Sequence, residues 1–511
     1  MIEPREVELK LICDAADLAG LHDWPRLAAT GGCRKDLLES IYFDTPEQLL
    51  RKSGYVLRVR RTQSGYVQTV KAAGDGLIER REWEQSVAGG EPDRDALDVT
   101  PVAKLLGKRS KLAPLFSVSV ERCSCLLRQG RSLIEVALDH GSIRKAETVE
   151  EADTLFISEI ELELKDGSVA ELFALAREIA ALVPVRLGVE SKAERGFTLI
   201  ETRSAQGSRA EPVILSDTMT AAEAFRTIAH GCLRHLRINE EVLLERRCMD
   251  ALHQARVAVR RLRSAMTLFG GILDDHQFET IKARLKDLPE PLGRARNLDI
   301  LLSETLPAER SRHPEDLRLP NLEKHLESQR ADAYAAVVQR LCSQEWRQFL
   351  LDLVAWINAG PWLSEGDRAG RDEPASRFAA RALDKWSRRV RKRGRDLAAL
   401  SPEDRHKVRI ATKKLRYGTE FFASLYSGKK ARKQREVFLS ALSDLQDHLG
   451  RLNDIASSRE LLESLTGPSA DEASLLAARF AAAAKPEKTK KLLKRAETAH
   501  ERLTESEPFW R

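Results

Sequence analysis

Near the start of the chain, Glu6, Glu8 and Lys10 occupy every second position of EVELK, with Val7 and Leu9 between them. A strand sends alternate side chains to opposite faces, so two carboxylates and an ammonium share one face and the aliphatic pair takes the other. The pattern recurs. Arg58 and Arg60 share a face of YVLRVRRT opposite Leu57, Val59 and Arg61, and Arg80, Glu82 and Glu84 share one in ERREWEQSV. In LIEVALD, Glu135 and Asp139 oppose Ile134, Val136 and Leu138; in SEIELELK, Glu159, Glu161 and Glu163 oppose Ile160, Leu162 and Leu164. Carboxylate oxygens are ligands for a hard divalent cation, and guanidinium and ammonium groups clamp phosphates. Cation plus phosphate is the combination phosphoryl chemistry needs. That chemistry requires the charged faces to converge inside a closed barrel. The same alternation also describes an open sheet with a solvated charged face, and periodicity leaves both arrangements open.

A second set of charges has helical spacing. His253, Arg256, Arg260 and Arg263 step by three, four and three, which places them on one helix face. His406, Arg409, Lys413 and Arg416 repeat the same steps. A third stripe runs Arg377, Arg381, Lys385, Arg388, Lys392, Arg395, in a segment whose single acid is Asp384. Like charges at this spacing repel, so each stripe needs solvent, carboxylate partners or a polyanion. Asp299 and Asp454 are available for internal pairing. No zinc finger, base-reading helix or aromatic RNA-binding platform accompanies the stripes, which disfavours nucleic acid.

The elements that must carry these residues differ between the two halves of the chain. Up to about residue 200 short β-type runs end at Gly, Pro or Asp. Two helices are expected among them, at Thr100–Leu106 and at Ser168–Leu182, where Ser168 can cap. The polar stretch 204–217 is expected to link the halves. Beyond it the text is helical, with a capping box at Thr220–Glu223 and a Ser401-Pro402 start signal. Pro361–Ser376 is expected as a loop, and the basic segment KPEKTKKLLKR as a flexible tail. The helical half also repeats: ALHQARVAVRRLRS from Ala251 answers DRHKVRIATKKLRY from Asp404 at an offset of 153, and LGRARNLD answers LGRLND. Two related helical bundles, about 220–303 and 374–460, are expected to pack as one domain.

Composition sets bounds on all of this. A chain of 511 residues exceeds one ordinary core, and 42% hydrophobic residues suffice for folded domains. The net charge of +6 conceals 84 basic and 78 acidic side chains, so their distribution matters more than their sum. Seven cysteines without zinc spacing fit a reduced compartment. With no apolar run of about 18 residues, no membrane span is expected, and the expected location is the cytoplasm.

At the charged strands the sequence resembles the CYTH superfamily, the triphosphate tunnel metalloenzymes. EVELK resembles its ExExK signature, and YFDTP, LRVRR, TVK, SEIELELK and ESKAERG follow in the family's order. The resemblance implies an α+β domain over residues 1–203, an antiparallel eight-stranded tunnel barrel with helices outside. It implies Mg²⁺ or Mn²⁺ held by Glu6, Glu8, Asp139, Glu159 and Glu161. Lys10, Arg58, Arg60, Lys71, Arg122, Lys192 and Arg195 are implied to bind substrate, with Lys10, Lys192 and Glu82 as catalytic groups and Glu84 and Glu163 also inside. The implied reaction is hydrolysis of inorganic triphosphate. The same tunnel serves thiamine triphosphatases and adenylyl cyclases, but no aromatic cluster for a thiazolium or adenine ring is visible.

The helical half, 218–511, resembles the CHAD domain, a duplicated all-α module associated with inorganic polyphosphate. The resemblance implies polyphosphate binding by His253, Arg256, Arg260, Arg263, His406, Arg409, Lys413, Lys414 and Arg416, and association with polyphosphate granules. The alternative from another class is a non-catalytic protein whose tunnel only binds.

Overall fold

A computed structural model describes residues 5–29, 33–72, 74, 76–107, 110–146, 154–201, 206–287, 289–316, 318–465 and 486–511. The chain forms two compact units, Met1–Gln206 with Ser343–Gly360, and Gly207–Cys342 with Pro361–Arg511.

The first unit is built on strands β1 (Arg5–Ile12), β2 (Arg34–Asp44), β3 (Tyr55–Thr62), β4 (Gly65–Ala72) and β5 (Glu79–Val87), then β6 (Ala113–Gln129), β7 (Ser132–Lys145), β8 (Thr154–Asp166) and β9 (Arg186–Gly188). They lie in the order β5-β4-β3-β2-β6-β7-β8-β1-β9, every pair antiparallel, and β5 pairs again with β1. Eight strands therefore close a ring. The expected eight are joined by a ninth for a reason visible in β1. Its first half pairs with β5 at Arg5 to Val7, while Lys10 to Ile12 pair with β8 on one edge and with β9 on the other. Without β9 that edge of β1 would leave backbone groups without ladder partners.

Closure decides which way the alternating faces point. Around the ring the register sets Lys10 opposite Glu161, Glu159 opposite Asp139, Asp139 opposite Arg122, and Arg122 opposite Asp36. It continues through Ser40 opposite Arg60, Arg58 opposite Thr69, and Lys71 opposite Glu82. The charged positions thus share one face, and on the opposite face their neighbours in these strands are mostly apolar. There Leu57, Val59 and Val70 pack beneath Leu50, Leu97 and Val102.

Those covering residues sit on short elements. Of the helices α1 (Ala15–Leu21), α2 (Pro25–Ala28), α3 (Leu49–Lys52) and α4 (Arg94–Asp98), α3 supplies Leu50 and α4 supplies Leu97. Instead of one helix at 100–106, α4 starts where the Asp93 side chain accepts from the Ala96 amide, and a 3₁₀ turn follows at Pro101–Lys104. Helix α5 (Val169–Leu182) begins at the expected Ser168 cap and packs on β6, β7 and β8.

Helix α6 (Lys192–Ile200) was not expected, although Ser191 and Glu194 form a capping box that the sequence displays. Its Ala193 and Phe197 join Tyr42, Phe116, Val118, Val120, Ile143 and Ile157 in one apolar cluster. By register Val118, Val120, Ile143 and Ile157 share the face of Arg122 and Glu159, so α6 packs into an apolar stretch of the barrel interior. A Cβ on Gly196 would lie 2.1 Å from the Phe116 ring, which is why this helix position is glycine.

The first unit also includes a helix from far along the chain. Numbering on through α7 (Ala221–Glu245), α8 (Met249–Phe269), α9 (Phe278–Asp287), α10 (Pro289–Ile300), α11 (Leu306–Arg312) and α12 (Leu319–Cys342), it is α13 (Gln344–Ala359). It packs on α5 and β9, and Arg177 Nε donates to Asp352 Oδ1 at 2.9 Å.

The second unit continues with α14 (Arg368–Asp372), α15 (Ala375–Arg393), α16 (Pro402–Phe421), α17 (Lys429–Leu465) and, last among the described residues, α18 (Pro486–Glu505). The predicted caps at Thr220 and Ser401 are formed. The offset of 153 relates α8 to α16, which pack together around Phe225, Phe269, Phe378 and Phe422. Two local expectations differ. Within 361–376 lie a 3₁₀ turn and α14, anchored by buried Trp362, whose amide donates to Asp275 at 3.0 Å. The basic tail is helical from Pro486, because Leu492, Ala496, Ala499 and Leu503 form a buried stripe. Residues 206–216, within the expected linker, form no helix or strand, and Ser208 and Asn239 exchange hydrogen bonds of 2.9 Å.

Candidate functional site

Asp139 from β7 and Glu159 and Glu161 from β8 each offer an oxygen within 4.8 Å of the others. The adjacent ladder and the period of two bring them together. An all-carboxylate donor set fits a hard ion such as Mg²⁺ or Mn²⁺. Lys192, the first residue of α6, reaches the same cluster: its Nζ lies 2.7 Å from Asp139, 2.9 Å from Glu161, and pairs with Glu159. Arg122 donates to Asp139 through Nε at 2.7 Å and Nη2 at 2.6 Å, a bidentate fork, and also pairs with Glu161. Lys10 bridges Glu8 and Glu161.

These charges set one another's proton affinity. Burial opposes the Lys192 ammonium, but Asp139, Glu159 and Glu161 outweigh it and raise its pKa. Burial likewise opposes ionisation of Glu161, and Lys10, Lys192 and Arg122 hold it well below the usual carboxylate range. Asp139 is lowered against its own burial, chiefly by Lys192.

A second group lies on β3, β4 and β5. Lys71 Nζ stands 2.7 Å from Glu82 and 3.2 Å from Glu6. Arg58 Nη2 is 3.4 Å from Glu82 and 3.6 Å from Glu84, which also accepts from Thr69 at 3.0 Å. Arg60 differs from both: among the described residues it makes no ion pair, only a 3.2 Å hydrogen bond to Ser40. Burial, then Arg58 and Arg122, push its pKa down to about 10, so it stays charged at neutral pH.

The predicted carboxylates therefore divide. Asp139, Glu159 and Glu161 converge, Glu8 is joined to them through Lys10, and Glu6 pairs with Lys71. Arg195 reaches Glu159 at 3.3 Å. Sequence reasoning passed over Lys165, which bridges Glu135 and Glu163 at 2.8 and 2.7 Å and continues the alternation of that strand.

In the helical unit His253, Arg256, Arg260 and Arg263 lie half-buried along α8. Burial, then Arg296, Arg260 and Arg256, hold the His253 pKa at about 4. A Cβ on Gly293 would sit 2.9 Å from Arg256 Nη1, so the glycine of LGRARNLD makes room for that guanidinium. On α16, Arg409, Lys413, Lys414 and Arg416 are half-buried and His406 is exposed, and Arg416 pairs with Glu420 at 3.3 Å. Arg261, one position off the stripe, is buried; it pairs with Glu420 and lies over the Tyr417 and Phe421 rings. Its neighbours in space gave no signal in its own segment.

Along α15, Arg377 and Arg381 pair with Glu373, and Lys385, Arg388 and Lys392 are exposed, as a solvated face would be. Among the described residues Asp299 pairs with no stripe; buried, it accepts from the Tyr334 hydroxyl at 2.9 Å. The side chain of Asp454 lies outside the described residues.

Comparison with known proteins follows the same division. A family model described as the CYTH domain matches residues 4–197, and one described as the CHAD domain matches residues 227–463. An inorganic triphosphatase from Haemophilus influenzae is 32% identical over 167 residues, 32% of this chain and 46% of that protein. The match thus spans about half the length of that relative. The crystal structure of the CHAD domain from the plant Ricinus communis superposes with a TM-score of 0.51 at 29% identity, covering 58% of this chain and 97% of that one.

Proposed function

The chain joins a CYTH domain to a CHAD domain, and from that premise we propose that its barrel hydrolyses inorganic triphosphate while its helices bind inorganic polyphosphate. The observation that carries the first part is the closed interior face on which Asp139, Glu159 and Glu161 converge while Arg60 has no anionic partner among the described residues. A triphosphate supplies the missing anion.

In this reading Asp139, Glu159 and Glu161 would hold a divalent ion, with Glu8 and Glu6 as further carboxylates. When bound, the ion supplies positive charge to phosphate oxygens. Arg58, Arg60 and Arg122 bind and orient the phosphate chain, supported by Lys71 and Arg195. Water adds to the terminal phosphorus, the terminal P–O–P linkage breaks, and pyrophosphate leaves. Lys10 and Lys192 neutralise the charge that grows on the departing oxygen. Glu82, positioned by Lys71 and Arg58, is assigned the orientation of the attacking water. Ser191 and Glu194 cap α6 and so direct Lys192 at the cluster.

For the helical domain, the support is the two repeat-related stripes and the crowding of His253 by three arginines. No described helix is long and apolar enough to cross a membrane, and a cytoplasmic protein near polyphosphate granules fits the reading. The deciding experiment is phosphate release from tripolyphosphate, ATP and thiamine triphosphate with Mg²⁺ and with Mn²⁺. Turnover of tripolyphosphate above the other two is expected. Metal-independent binding without release would leave the tunnel a binding module.

A further inference from the structure

A basic face that the internal repeat does not require lies around Trp386. Lys414 Nζ stands 5.1 Å from the Trp386 ring centroid, and the Arg389 guanidinium carbon stands 5.0 Å from it. The charges acting most strongly on Lys414 are Arg389, Arg263, Lys282 and Arg393, all cations, from α15, α8, α9 and α15. Of these, Lys282 also pairs with Glu279 at 2.8 Å. Burial and those four cations together lower the Lys414 pKa.

The offset of 153 shows what the first half does at the same places. Trp386, Arg389, Arg393 and Lys414 correspond to Leu233, Leu236, Glu240 and Arg261. Leu233 and Leu236 are core residues, Glu240 is buried against Arg237, and Arg261 is buried against Glu420. One half therefore uses these positions for packing, and the other turns them into a convergence of positive charge. Like charges brought together in a fold repel; the face of an indole offsets part of that by attracting cations. Trp386 is 5% exposed, so its ring has no free face on which a nucleobase could stack. What it offers a ligand is the set of cations it holds.

We propose that the Trp386 face binds a phosphate-chain anion through Arg263, Lys282, Arg389, Arg393 and Lys414, with Trp386 as the positioning residue. The site takes in Lys282, Arg389 and Arg393, which lie outside the repeat-related stripes, and it rests on the reading that the helical domain binds polyphosphate. Holding the cations in place before the ligand arrives lowers the ordering cost of binding.

The test uses the full-length protein, a fluorescently labelled polyphosphate of defined length, EDTA and a salt series. The R389Q/K414Q double variant should lose affinity, and its log-affinity against log-salt slope should be shallower by about 1.4 to 1.8, the share of two phosphate contacts. W386L keeps every charge and should bind about three- to tenfold more weakly, whereas W386F keeps an aromatic face and should retain most of the affinity. Circular dichroism checks that each variant folds; if W386L does not, the double variant decides. A folded R389Q/K414Q protein with wild-type affinity and slope overturns the site. If R256Q/R260Q/R409Q/K413Q abolishes binding in the same series, the wider reading stands without it. Wild-type protein that does not bind polyphosphate overturns both.

Discussion

Lys192 Nζ lies 2.7 Å from Asp139 Oδ2, and the two residues are 8% and 0% exposed. Fifty-three positions separate them in the chain. One opens a capped helix and the other sits mid-strand on the barrel's charged face. Removing one member of a buried pair costs more than the pair itself is worth, although Asp139 keeps its fork from Arg122.

Lys192→Gln should therefore act twice. Turnover of tripolyphosphate should fall about 10²-fold or more, as when a group stabilising transition-state charge is lost. Unfolding should become easier by about 3 kcal/mol or more, because Asp139 loses a buried partner. Lys192→Arg, which keeps the charge, should recover much of the stability. Steady-state kinetics together with thermal melts separate the two effects; wild-type turnover in a destabilised K192Q protein would confine Lys192 to a structural role.

Arg60 should behave in the opposite way. Among the described residues it has no ion pair to lose, and Arg58 and Arg122 crowd it with like charge. Arg60→Gln should leave the melting temperature unchanged or raise it, while KM for tripolyphosphate rises about tenfold or more, since a hydrogen bond from a charged donor contributes about 1.5 to 3 kcal/mol. Arg60→Lys should fall between, because an ammonium cannot bind two oxygens as a fork does. A marked loss of stability with KM unchanged would contradict the clamp role.

His235 should make the helical unit acid-sensitive. Burial, then Arg261, hold its pKa at about 4, below the ordinary 6.5. Its Nε2 bonds to the Ser208 carbonyl at 3.0 Å, while among the described residues Nδ1 meets no partner. Between pH 6.5 and 4 the unfolded chain takes up a proton that the folded one refuses, so stability falls as pH falls through that window. The loss should approach about 3 kcal/mol below pH 4. Denaturation of wild type and His235→Gln at stepped pH should show a shallower decline in the variant; parallel curves would exclude the histidine as the cause.

The alternating strands, the offset of 153 and the caps at Ser168, Thr220 and Ser401 follow from local chemistry, and each is legible in the sequence. A period of two places Glu159 and Glu161 on one face whatever the sheet does. It does not say whether that face meets water. Closure decided it, through a second pairing of β1 with β5 that no local pattern encodes. The ninth strand follows from the same event, since β5 covers only half of an edge. Helix α6 had its capping box on view, yet only packing against Phe116 and Tyr42 shows that it carries Lys192 to Asp139. Likewise the stripe through Arg256 and Arg260 can be read from spacing, whereas Lys414 meets Arg389 across Trp386 only when α15 and α16 pack together. The sequence by itself determined which charges share a face of their own element. The tertiary structure alone decided which charges of different elements face one another, because ion pairing acts over a few ångströms of space and is blind to separation along the chain.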